Sequence, residues 1–99
     1  MRIVSKRRLR EFWAAHADAE SALRTWFAVA RQAKWQKLVD VQTTYANAEA
    51  VEDLTVLNVK GNRYRLIAIV NFRRHGVLVR WVGTHADYDR LTSKEIREL

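Results

Sequence analysis

The chain contains no cysteine, no proline and only three glycines among its 99 residues. Without cysteine there are no disulfides, no thiolate nucleophile and no Cys-based zinc site, which fits a reducing compartment. Without proline, and with no low-complexity stretch, internal repeat or linker, the elements are expected to pack continuously as one domain over residues 1–99. Apolar residues make up 48% of the chain, enough for one core and too few for two. No apolar run approaches the roughly 20 residues that cross a bilayer, and "MRIVSKRRLR" lacks the apolar region of a secretory signal. The expectation is a soluble, cytoplasmic protein. There is no GxGxxG and no GxxxxGK[ST], which argues against a nucleotide-binding loop, and no H-E-x-x-H or His pair at ligand spacing. Neither a metal site nor a cofactor is expected.

A last absence is more pointed: no acidic residue occurs from Leu54 to Ala86. The whole chain carries 18 Lys and Arg against 11 Asp and Glu, a net charge of +7. Its basic residues gather at Lys6–Arg10, Arg31–Lys37 and Lys60–Arg80, its acids at Glu49–Asp53 and near the C-terminus. Such a balance favours a polyanionic partner, nucleic acid above all.

Periodicity divides the chain in two. "RIVS" reads as a short first strand; Leu9, Phe12 and Trp13 then mark a helix from about Lys6 to His16. Asp18 is a candidate N-cap for a second helix whose stripe is Leu23, Trp26, Phe27 and Ala30. Leu38, Val41 and Tyr45 suggest a shorter third helix, followed by an acidic loop, "ANAEAVED". From Leu54 onward β-branched and aromatic residues dominate, and Gly61-Asn62 separates two such runs as a hairpin turn.

A two-residue turn fixes the pairing: Lys60 with Arg63, Asn58 with Arg65, Val56 with Ile67. One face then holds Leu57, Val59, Tyr64, Leu66, Ala68 and Val70, an apolar surface for the helices to cover. After a turn at "RRHG", Val77, Val79 and Trp81 are expected on that same face. The other face is expected to be lined by Asn58, Lys60, Arg63, Arg65, Asn71, Arg73 and Arg80, with Thr84 beside them and Ile67, Ile69, Leu78 and Val82 between them. Antiparallel sheets commonly turn one face to water, so a solvated surface is the plain explanation of such residues. Uncompensated like charge costs stability, however, unless an anion neutralises it, and guanidinium groups suit phosphate.

"THADYD", Thr84–Asp89, marks the passage from strand to helix. His85 and Tyr88, three residues apart, then share one side of a turn at the rim of the basic face, where imidazole and phenol can exchange protons with a substrate. The plain alternative is that His85 caps the turn and Tyr88 packs on the core. His16, at a helix end, and His75, in a turn, offer less. The four tryptophans, at 13, 26, 35 and 81, fall on core positions by default.

"VLNVKGNRYRLIAIVNF" followed by "VRWVGTHADYDRL" resembles the HigB family of type II toxin–antitoxin toxins, within the RelE-like superfamily, and "HADAESAL" and "AKWQKLVDV" extend the likeness upstream. The resemblance implies an α+β fold, β-α-α-(α)-β-β-β, with N-terminal helices on one face of a small, mainly antiparallel sheet and a short C-terminal helix. It implies an mRNA endoribonuclease that usually works on ribosome-bound message, and a cognate HigA-type helix-turn-helix antitoxin. Lys60, Arg65, His85 and Tyr88 carry over as catalytic candidates. Strand parity adds Asn58, Arg63, Asn71, Arg73 and Arg80 as RNA contacts. Metal-free cleavage requires a base, an acid and cations at the phosphorane; His85 and Tyr88 share the proton work, with the arginines expected to lower the Tyr88 pKa. The competing reading is a noncatalytic RNA- or DNA-binding module using the same face, and a third is a degenerate relative that only binds a protein.

Overall fold

The computed structural model describes residues 1–99. β1 (Arg2–Val4) leads into α1 (Lys6–Ala15); a single 3₁₀ turn, Ala17–Ala19, joins it to α2 (Glu20–Gln32), and α3 (Leu38–Thr44) follows. Four strands come next, β2 (Glu49–Val51), β3 (Leu54–Val59), β4 (Tyr64–Asn71) and β5 (Gly76–Thr84), then two short helices, α4 (His85–Arg90) and α5 (Ser93–Arg97). The strand order is β1-β5-β4-β3-β2. β1 runs parallel to β5 and every other pair is antiparallel, so the sheet is the mainly antiparallel one expected.

The 3.6-residue stripes decide what the N-terminal helices bury. Leu9 and Trp13 of α1, with Leu23, Trp26 and Ala30 of α2, lie buried against Leu57, Val59, Tyr64, Leu66, Ala68, Val77 and Val79 of the sheet. These strand residues alternate with the opposite face as a period of two demands. The hairpin register is the one derived from the turn, Asn58 opposite Arg65 and Val56 opposite Ile67.

Five features depart from expectation. The acidic loop contains β2, which pairs with β3 at the sheet edge; three exposed or half-exposed residues carry no periodic signal. Asp18 lies within the 3₁₀ turn and bonds to side chains of the β3–β4 hairpin, so it does not cap α2. The β3–β4 ladder ends at Val59 opposite Tyr64: Lys60 and Gly61 adopt positive φ, +55° and +63°, and Lys60 leaves the strand instead of pairing with Arg63. A β-bulge also shifts the β4–β5 register, pairing Ala68 with Val79 but Ile67 with Trp81 and leaving Arg80 as the extra residue. Beyond it the faces of β5 exchange: Trp81 joins the face opposite α1 and α2, Val82 packs against the main core, and Thr84 stands opposite Tyr64.

The fifth departure is that this second face is partly covered. α4 and α5, where one short helix was expected, place Tyr88, Leu91 and Ile96 against a small cluster built on Leu54, Val56 and Ile67. Both helices are capped locally. Thr84 Oγ1 accepts from the Asp87 backbone N–H at 3.0 Å, and Thr92 and Glu95 form a reciprocal capping box.

Candidate active site

Arg65 is the second residue of β4, on the face away from α1 and α2. The first residue of α4, His85, is tied to the start of this strand because its backbone N–H donates to the Arg63 carbonyl at 3.1 Å. That bond, together with the Thr84 cap, delivers the imidazole to Arg65: Arg65 Nη2 lies 2.8 Å from His85 Nε2. One helical turn on, Asp89 Oδ2 lies 3.0 Å from His85 Nδ1. A guanidinium only donates, so Nε2 is the accepting nitrogen and Nδ1–H donates to Asp89. Asp89, His85 and Arg65 thus form a chain with a defined tautomer.

Tyr88 closes the group. Its ring lies below the Arg65 guanidinium, with Cζ 5.1 Å from the ring centroid, and tilts against Trp81 at 6.2 Å. Burial pushes the phenol pKa up from its ordinary value, and the charges of Glu49 and Asp89 push the same way while Arg65 opposes them. The direction is the reverse of the one anticipated from the neighbouring arginines: desolvation and two carboxylates outweigh one guanidinium. Tyr88 therefore keeps its proton at neutral pH. Arg65 Nε is buried and has no hydrogen-bond partner within the protein.

The other predicted residues separate into groups. Lys60 turns toward the helices: its Nζ donates to the Asp18 carbonyl at 3.0 Å and to Oδ2 at 3.3 Å. Arg63 Nε lies 3.5 Å from the same carboxylate, while Tyr64 Oη donates to Oδ1 at 2.5 Å. That phenol bond, then Lys60 and Arg63, holds the Asp18 carboxyl below its ordinary range, and the same bond raises Tyr64. Asn58 stays beside Arg65 in the ladder and donates to Asn62 Oδ1 at 3.2 Å. Asn71 accepts from the Arg74 N–H at 3.0 Å in the β4–β5 turn that also carries the exposed Arg73. Six residues along β4, this turn is about 20 Å from Arg65 at the usual strand rise. Arg80, half-buried at the bulge, presents its carbonyl to Arg8.

Three neighbours escaped the sequence reading. Asp89 had a signal, since it is four residues from His85 on a helix. Glu49 had none, because only the β2–β3 pairing brings it near Tyr88. Trp81 was hidden by the bulge. The site is built of guanidinium, imidazole and phenol, a set suited to a phosphate anion and to proton transfer.

Known proteins resemble this chain along most of its length. A family model described as HigB_toxin, RelE-like toxic component of a toxin–antitoxin system, matches residues 19–91, a span that includes Arg65, His85, Tyr88 and Asp89. The chain is also 28% identical over 95 residues to the mRNA interferase HigB of Escherichia coli O6:H1, covering 93% of this chain and 92% of that one.

Proposed function

Since the chain belongs to the HigB toxin family, RelE-like toxic components of toxin–antitoxin systems, we propose that it inhibits translation as an mRNA endoribonuclease centred on Arg65, His85 and Tyr88. Support comes from the site and from the similar protein named an mRNA interferase. The observation that carries the reading is the Asp89–His85–Arg65 chain beside a phenol that holds its proton.

In this mechanism the scissile phosphate binds Arg65, whose Nε and Nη2 donors turn to its oxygens. Drawing Nη2 away frees the Nε2 lone pair of His85, which takes the proton of the ribose 2′-OH. The 2′-oxygen forms its bond to phosphorus as the bond to the 5′-oxygen breaks, and Tyr88 gives the leaving oxygen its proton. The products are a 2′,3′-cyclic phosphate and a free 5′-hydroxyl. Arg65 meets the charge of the phosphorane and afterwards that of the Tyr88 oxygen. Asp89 holds the imidazole in the tautomer that leaves Nε2 free to accept. No step calls on a metal ion or cofactor. Asn58, Arg73, Asn71 and Arg80 fit contacts to the message further from the reacting bond, in the cytoplasm and on the ribosome, while Lys60 and Arg63 are engaged by Asp18.

Membership of the family brings a cognate antitoxin partner; a HigA-type helix-turn-helix protein is the form we propose. Primer extension on a defined message in a translation extract, at constant magnesium, tests the activity. Discrete cuts within codons by the wild type, absent with His85→Ala, are expected. A folded wild-type protein that binds message without cutting it would leave the noncatalytic binding module as the better account.

A further inference from the structure

We propose that Trp81 forms one wall of a nucleobase subsite beside Arg65, where a base flanking the scissile phosphate stacks. This inference rests on the RNA-cleaving role argued above. Trp13, Trp26 and Trp35 are buried, at 9%, 1% and 4% exposure, whereas Trp81 remains partly exposed. Simple alternation along β5 would have buried it as well. The bulge at Arg80 turns it instead to the face that carries Arg65, and bulges near active sites commonly re-aim a side chain in this way.

The position of the indole is specified by a second residue. Gly83 is the ladder partner of Arg65, and a Cβ placed on it would fall among the Cζ2, Cη2 and Cζ3 atoms of Trp81. The benzo ring therefore extends over Gly83, on the strand position directly across from Arg65. Only glycine leaves that space. Tyr88 flanks the indole at 6.2 Å and lies under the guanidinium. A phosphate held by Arg65 thus has an aromatic wall across Gly83 and the proton-transfer groups His85 and Tyr88 within the same cluster.

Single-stranded RNA is held by this combination, a cation for the backbone and an aromatic face for the base. Stacking is tolerant of base identity, so the subsite would position a nucleotide and favour the larger purine surface. If Trp81 served only to cover the small cluster at Val56 and Ile67, any apolar side chain of similar bulk would suffice.

That contrast sets the test. A single-stranded 2′-fluoro oligoribonucleotide, which lacks the attacking hydroxyl, is titrated into wild type, Trp81→Phe and Trp81→Leu while tryptophan emission and affinity are followed. With the other three indoles buried, saturable quenching in the wild type that Trp81→Phe abolishes reports on this residue. Trp81→Phe should bind within about threefold of wild type. Trp81→Leu should bind about 5- to 150-fold more weakly, the effect of losing one base–aromatic stack. Abasic substitution along the oligonucleotide should reveal one position whose base matters to the wild type and not to Trp81→Leu. Arg65-dependent binding without quenching, or equal affinity of the Leu and Phe variants, would overturn the subsite while leaving the nuclease reading intact. No binding by the wild type would overturn the subsite, and the primer-extension assay on ribosome-bound message would then judge the nuclease reading by itself. The quenching and abasic measurements on the wild type decide the matter even if Trp81→Leu does not fold.

Discussion

Tyr64 and Arg65 are neighbours on β4, so they point to opposite faces, and each enters a cluster of a tyrosine, a carboxylate and cations. Around Tyr64, Asp18 receives the phenol, Lys60 and Arg63 at once. Its charge is answered and the phenolic proton is committed to a carboxylate. Around Arg65 the carboxylate is one imidazole removed: Asp89 bonds His85, and His85 receives Arg65. The guanidinium keeps a buried Nε without a protein partner, and the Tyr88 proton is bound by no carboxylate hydrogen bond. The same side-chain types therefore make a structural latch on one face and a group able to receive an anion on the other. What separates them is whether the charges are satisfied inside the fold.

The sharpest way to break this contrast is to remove one cation from each side. Arg65→Ala should lower the cleavage rate about 10²- to 10³-fold, as losing a donor to a developing oxyanion does, while Lys60→Ala, which loosens only the latch around Asp18, should stay within about tenfold. Rates on a defined message, with melting curves for both variants, measure this; a larger loss for Lys60→Ala would move the catalytic centre to the hairpin turn. A smaller effect is expected for Asp89→Asn. The amide variant of the buried aspartate in a Ser-His-Asp triad costs about 10⁴ in kcat, but Asp89 is 60% exposed and solvent shares its role, so about a 10- to 100-fold loss is expected. Its pH–rate profile should lose its basic limb at lower pH than the wild type; an unchanged rate would show that the tautomer needs no carboxylate.

The smallest effect belongs to the latch. Because Tyr64 and the two cations lower the Asp18 pKa, the stabilisation is complete above the ordinary value of 3.8 and is lost as pH falls through the lower folded value. Urea midpoints of wild type should thus exceed those of Asp18→Asn at neutral pH and converge with them in acid. A gap that persists below that range would assign the difference to packing instead of charge.

Much of the architecture was legible because local rules govern it. The stripe of α1 and α2, the register of β3 and β4, and the Thr84-to-helix transition follow from periodicity, turn length and capping. These are properties of residues a few positions apart. His85, Tyr88 and Arg65 could be named for the same reason, since turn spacing and strand parity predict their side. Lys60 could not be placed by parity, because a positive φ removes it from the strand to which parity applies. Nor could Trp81, since one extra residue at Arg80 inverts every position after it.

By itself, then, the sequence determined the three N-terminal helices and the β3, β4 and β5 strands, which hairpin face is apolar, and that the acid-free stretch concentrates cationic and proton-carrying side chains. Only the tertiary structure decided which of those cations meet a carboxylate within the fold. Asp18 and Lys60 are 42 residues apart and Arg65 and His85 are 20 apart. Such pairings depend on how elements dock, on a bulge and on one turn's backbone sign. The desolvation that raises the Tyr88 pKa is likewise a product of packing by α4 and α5, and no local pattern encodes it.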